Sequence, residues 1–202
     1  RRPDRKTTVI EAKDDLFIAP LEGNVLTLDY VDVTAGGQPK KGLYVYKASQ
    51  FAFAQNGMPR NPWDSCVQFK DGLITKTFAP DSGVEATYRF TIEGSVPAQL
   101  SIVVERPDLY AITCNGKPVS ARAGSWWLDK SFGKVDLAGA AQVGENAVAI
   151  QASPFTIYHE LESAYVLGSF TLKPAQAGFV IVGESRPTVT LGSWKAQGYP
   201  LY

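Results

Sequence analysis

The sequence predicts an all-β fold, an antiparallel two-sheet β-sandwich of jelly-roll type, on three observations. Apolar and polar residues alternate with period two in several short runs, the signature of half-buried strands. Eighteen Gly and 13 Pro fall mostly between those runs and punctuate them. No helical pattern is long enough to supply the crossovers that parallel strands require.

The elements follow in chain order. Leu26, Leu28 and Tyr30 alternate with Thr27, Asp29 and Val31, which predicts one strand with the first three on a common face. Residues 43–46 are short, aromatic and β-prone. Residues 51–68 read as a long loop, because Gly57, Pro59, Asn61 and Pro62 interrupt any regular pattern, and long loops of compact sandwiches often carry binding. Alternation returns at 86–92. Residues 100–105 and 109–114 are two more candidate strands, with Pro107 and Asp108 as a turn between them. Asn115-Gly116 signals a tight hairpin, since both central residues must accept positive φ. Later strands are expected at 147–151, 165–172, 179–182 and 188–191. Residues 137–143 are the one helical candidate, a single turn.

The 202 residues suit one large all-β domain or two small ones. The apolar share of 45% supports a substantial core and argues against disorder. Twenty basic residues balance twenty acidic ones, so there is no electrostatic footprint for nucleic acid or an anionic membrane. No apolar run approaches the roughly 20 residues of a membrane-spanning helix. The polar start, Arg1 to Lys6, has neither Met nor an apolar stretch behind it, and reads as the beginning of a mature or excised segment. Cys66 and Cys114 allow one bridge or none.

The middle of the chain carries a resemblance. Asn115-Gly116-Lys117 closes a strand, Val135-Asp136-Leu137 makes an apolar-Asp-apolar step, and Gly144-Glu145-Asn146 opens the next strand. This order resembles the sugar-binding jelly-roll domain of family-two-type glycoside hydrolases. His159-Glu160-Leu161-Glu162 and the strand-like 165–170 look like the closing part of such domains, which occur in large bacterial carbohydrate-active proteins. Residues 191–202 resemble a lead-in to another sandwich domain. The resemblance implies a galactose-binding-like fold and a non-catalytic role beside a glycosidase. It divides the chain into an arm over 1–20, a sandwich over 21–190 and a tail over 191–202 toward a further domain. It also implies a polysaccharide or oligosaccharide partner, a catalytic neighbour in the parent chain, and a secreted or periplasmic location. Fold alone does not make a sugar binder.

Six residues are candidates for glycan contact. Trp126 and Trp127 are adjacent on a strand, so one should pack inward and the other outward, where an indole can stack against a sugar ring and its N–H can donate. Asp129 follows them. Trp63 sits in the long loop with Asp64, Arg60 and Asn61, an aromatic beside a carboxylate, a guanidinium and an amide, which together can bind paired hydroxyls. The plainer alternative makes Trp63 a plug anchoring the loop and both other tryptophans buried.

His159, the only histidine, lacks the companions a metal site or triad would need and reads as structural. Glu160 and Glu162 should share one face of a strand, on a solvated surface. Asp14, Asp15 and Asp129 are possible ligands of a structural Ca²⁺; no other cofactor is expected. Two other functions remain open. One is a bracing domain with no ligand of its own. The other is a jelly-roll lyase or hydrolase, into which His159, Tyr158, Tyr165 and Arg106 could be written.

Overall fold

The computed structural model of the chain describes residues 23–64, 71–183, 193 and 195–197. Its strands are β1 (Asn24–Leu28), β2 (Tyr30–Ala35), β3 (Gln38–Tyr44), β4 (Val84–Glu93), β5 (Leu100–Glu105), β6 (Ala111–Cys114) and β7 (Lys117–Val119). They continue with β8 (Ala121–Trp127), β9 (Asp129–Asp136), β10 (Gly144–Ala152), β11 (Ala164–Gly168), β12 (Thr171–Pro174) and β13 (Phe179–Val182). Two helices, α1 (Val45–Gln55) and α2 (Asp71–Ile74), precede β4, and 3₁₀ turns occupy Pro62–Asp64, Pro107–Leu109 and Lys195–Gln197. The expected arm, the strand at 188–191, Cys66, Asp14 and Asp15 lie outside the described residues.

Two sheets pack as a sandwich. One has the order β1-β11-β5-β9-β8 and is antiparallel throughout. The other runs β12-β13-β4-β10-β6-β7, with β2 and then β3 added beside the first half of β4. From β4 to β11 every connection except the β6–β7 and β8–β9 hairpins crosses between sheets, a connectivity shared by Greek-key and jelly-roll sandwiches. One pairing departs from the antiparallel expectation: β13 runs parallel to β4 at Ile92 and Glu93. The chain changes sheets between β11 and β12, and the β12–β13 hairpin then delivers β13 in the direction of β4.

Alternation places the core. Val84, Ala86, Tyr88, Phe90 and Ile92 of β4 face Leu100, Ile102 and Val104 of β5 and Val166 of β11 across the sandwich, all buried. Each buried Val, Leu, Ile or Phe among them contributes about 1.5–3 kcal/mol of hydrophobic stabilisation. Cys114 is a free thiol within this core.

Three sequence expectations are corrected. The strand through Leu26, Leu28 and Tyr30 is two strands: the chain leaves one sheet after Leu28 and enters the other at Tyr30. The inward positions therefore shift from even to odd numbers, burying Val31 and Val33 and leaving Tyr30 64% exposed. The second correction is α1, which replaces the end of the expected strand at 43–46 and the start of the expected loop at 51–68. Val45, Ala48, Ser49, Ala52 and Phe53 fall at helical spacing and form its buried stripe, packed against β2 and β3. Gly57, at φ +81°, ends it. The third is the run 165–172, which is interrupted at Ser169 because the chain changes sheets there. Residues 137–143 contain the single turn expected, closed by Ala140 N–H and Ala141 N–H donating to the Leu137 carbonyl.

The Asn115-Gly116 hairpin forms as read, with φ +52° and +78° at its two central residues and Cys114 opposite Lys117. The two asparagines of the resembling motif prove to be fasteners. Asn115 Nδ2 donates to Asn146 Oδ1 at 2.9 Å and to the Ala140 carbonyl at 3.1 Å, while Asn146 Nδ2 donates to the Gln142 and Gly144 carbonyls. They tie the end of β6, the 137–143 turn and the start of β10 together.

Candidate functional site

Three segments converge at one end of the sandwich: residues 56–64 after α1, residues 105–110 at the end of β5, and residues 153–163 between β10 and β11. Ser49 on the buried face of α1 fastens the outer two. Its hydroxyl accepts from Asn61 Nδ2 at 3.4 Å and from Leu161 N–H at 3.3 Å. Asn61 is 1% exposed and acts as a hub: its amide nitrogen donates to Glu160 Oε1 and its oxygen accepts from Trp63 N–H at 3.0 Å.

The 153–163 segment is held by its main chain. Tyr110 Oη donates to the Glu160 carbonyl at 3.0 Å and Tyr88 Oη to the Glu162 carbonyl at 2.6 Å. Burial raises both phenolic pKa values, so the hydroxyls stay protonated donors. His159 is held by two main-chain partners. Its Nδ1 accepts from Thr156 N–H at 2.8 Å, which leaves the proton on Nε2 to donate to the Leu109 carbonyl at 3.2 Å. Burial lowers its pKa and favours the neutral ring. Tied to the Pro107–Leu109 turn, His159 brings its neighbours Tyr158 and Glu160 over residues 105–110.

The result is a pocket of about 150 Å³ lined by Trp63, Glu105, Arg106, Tyr158 and Glu160. Trp63 and Tyr158 stack with centroids 6.3 Å apart and planes 24° off parallel. Tyr158 is 45% exposed, whereas Trp63 is half-buried against the core. The Trp63 indole N–H donates to the Ile157 carbonyl at 2.6 Å, so Trp63 anchors its loop and offers its π-face rather than its donor. Arg106 Nε and Nη2 donate to the two oxygens of Asp108 at 2.9 and 2.8 Å, a bidentate pair.

Carboxylates dominate the electrostatics. Burial raises the Glu105 pKa, with Glu160 and Asp129 adding to the rise and Arg106 opposing it. Glu160 is raised by burial and by Asp64 against the lowering hydrogen bond from Asn61. Glu162 is pushed up to about 7 by desolvation first, then by Glu160, Glu105 and Asp64. Glu160 and Glu162 do not lie on a strand, as alternation suggested, although Glu162 is solvent-exposed as expected and Glu160 is half-buried. The pairing of β11 begins only at Ala164, and the segment before it folds against β5. Behind the pocket a void of about 10 Å³ between Glu105, Glu160, Glu162 and the two tyrosines has room for about one water.

The other sequence candidates lie elsewhere. Asp64 is exposed on the 3₁₀ turn and reaches the pocket by its charge alone; Arg60 is exposed and outside the lining. Trp126, Trp127 and Asp129 belong to the β8–β9 hairpin and do not line the pocket. Trp126 is 47% exposed, opposite Gly133. Trp127 packs on Tyr165 with centroids 5.2 Å apart, and Phe132 lies 6.3 Å from Tyr165. These rings form a ledge on the outer face of the five-stranded sheet, above buried Val103. Neither tryptophan of the pair enters the core cluster, contrary to the expected inward partner. The sheet register slips between Trp126 and Trp127 at the hairpin end, so simple alternation fails there. Asp129 Oδ1 caps its own turn, accepting from the Ser131 N–H and hydroxyl at 2.8 Å. Among the described residues no group of three or more His, Cys, Asp or Glu is arranged to hold a metal ion.

A larger groove of about 570 Å³ runs along β1, Phe90, Leu172 and Phe179. Its lining is largely apolar, and its one cation among the described residues, Arg89, is paired with Asp32 at 2.9 Å. The smaller pocket therefore has the better set of convergent polar groups for a small polar ligand. Glu105 and Tyr110 escaped sequence reasoning. The signal available was a charged pair, Glu105-Arg106, closing an otherwise apolar strand. No protein-family model and no curated protein matches the chain.

Proposed function

We propose that this domain is a non-catalytic carbohydrate-binding module that serves as the accessory part of a polysaccharide-degrading protein outside the cytoplasm. The observation that carries the reading is the stacked Trp63–Tyr158 pair beside a small pocket rich in hydrogen-bond acceptors. A pyranose presents C–H groups to an aromatic face and hydroxyls to carboxylates and guanidinium, and this pocket offers both kinds of partner. Its volume is below the ~300 Å³ of ordinary small-molecule sites, which suits one sugar residue bound weakly. The resemblance of the 115–146 motifs to family-two sugar-binding domains supports the same reading and suggests a catalytic neighbour. The ledge of Trp127, Phe132 and Tyr165 offers a second aromatic surface. Both ring nitrogens of His159 are committed to main-chain partners, which weakens any lyase scheme that uses it as a base.

The test is affinity electrophoresis and calorimetry against a glycan panel, with Tyr158→Ala as the principal variant because Tyr158 is exposed and holds no core position. Binding reduced about tenfold in Tyr158→Ala, with an unchanged unfolding curve, is the expected result. Binding to no glycan, or binding indifferent to Tyr158→Ala and Trp63→Phe, would leave the bracing role. Release of products from a polysaccharide, abolished in Glu160→Gln, would instead make this pocket an active site.

A further inference from the structure

We infer that the pocket selects a sugar bearing a protonated amine over acidic sugars, and this inference rests on the reading of the pocket as a sugar site. Glu105 enters from β5 and Glu160 from the 153–163 segment, while Trp63 and Tyr158 supply aromatic faces. Glu162 stands behind Glu160 and Glu105, across the void of about 10 Å³. Asp64, on the Pro62–Asp64 turn, acts on both Glu160 and Glu162, and Asp129 acts on Glu105 from the hairpin.

Among the described residues compensation is scarce: Arg106 is the one cation in the lining, and its bidentate bond to Asp108 makes that pair close to neutral. His159 is neutral with both nitrogens engaged. The hydroxyls of Tyr88 and Tyr110 donate to main-chain carbonyls rather than to the carboxylates. Asn61 gives Glu160 a single amide hydrogen bond.

Two carboxylates in the wall, with two more acting on them, repel a uronate or sulfate and attract an ammonium. The same ammonium gains from the faces of Trp63 and Tyr158, whose quadrupoles favour a cation. Burial first, and like charges second, already lift all three glutamates, and a bound cation relieves the repulsive part. Binding must then release protons at mildly acidic pH, because the cation favours the ionised carboxylates.

The experiment uses the chain as it stands and three probes: glucosamine oligomers, the same oligomers fully N-acetylated, and a uronic-acid oligomer. Calorimetry is run at about pH 5 and about pH 6.5, in two buffers of different ionisation heat. The expected result is an affinity for the glucosamine oligomers about tenfold above either other probe, with net proton release at about pH 5, where the amines are already protonated, and less release at about pH 6.5, where the amines themselves take up protons on binding. Glu105→Gln and Glu160→Gln, checked for an unchanged melting profile, should bring the amine-bearing and N-acetylated probes together. Equal or tighter Tyr158-dependent binding of the N-acetylated or uronic probe overturns the inference and leaves the sugar reading standing. Failure of all three probes to bind overturns the inference. Failure of the wider glycan panel as well removes the sugar reading beneath it.

Discussion

Replacing Glu162 by Gln should stabilise the protein at neutral pH. The Glu162 carboxyl, raised from 4.5 to about 7, holds its proton more tightly in the folded state than in the unfolded chain. Its contribution to stability therefore falls as pH climbs from 4.5 to about 7 and is constant above that. Converted in full, the rise corresponds to about 3 kcal/mol. Glu162 is exposed, however, and solvent screening reduces the effect to about 1 kcal/mol. Gln keeps the shape and the main-chain carbonyl that accepts from Tyr88, and it cannot ionise.

The assay is thermal and urea unfolding of both proteins across about pH 4.5–7.5, plotted as the difference between them. That difference should start near zero and grow to about 1 kcal/mol in favour of the variant, or about 2–4 °C in Tm for a chain of this size. His159 contributes in the opposite sense: its lowered pKa gives stability that is present above 6.5 and lost as pH falls, equally in both proteins, so it cancels. Parallel curves, or a variant less stable at pH 7.5, would refute the claim that desolvation and neighbouring carboxylates disfavour the ionised Glu162 at this end of the sandwich.

Two further substitutions test the frame. Asn146→Ala removes a side chain that accepts from Gln142 N–H at 2.8 Å and from Asn115 and donates to two carbonyls. The unpaired groups left behind should cost about 2–4 kcal/mol in urea unfolding at an unchanged m-value, and a loss below about 0.5 kcal/mol would show the fastening is unimportant. Gly168→Ala places a methyl group into the Gln99 carbonyl oxygen and against Phe170 at the point where the chain leaves the five-stranded sheet. Overpacking there should lower stability by about 1–3 kcal/mol, read as a drop in Tm, and an unchanged Tm would mean the backbone gives way freely.

Legibility differed between frame and site for physical reasons. The period of two at 86–92 was readable because β4 buries one face and solvates the other along its full length. The same rule failed at Tyr30, because a change of sheet reverses parity without any mark in composition. The helix α1 was hidden by Val45, Tyr46, Phe51 and Phe53, which have weaker helical propensity than the alanines between them, although its buried stripe has helical spacing. Trp63 was readable as a loop aromatic, but its indole N–H partner, Ile157, lies 94 positions away.

Alternation and the Asn115-Gly116 turn determined a two-sheet β-sandwich, since one-sided burial imposes a period of two and a tight hairpin requires positive φ. Tertiary structure alone decided that Trp63, Glu105, Arg106, Tyr158 and Glu160 share one pocket while Trp126 and Trp127 stand apart on another surface. Those five residues come from three segments whose approach is fixed by long-range hydrogen bonds that Ser49 accepts and that Asn61, Tyr110 and His159 donate, and such contacts leave no local periodicity to read.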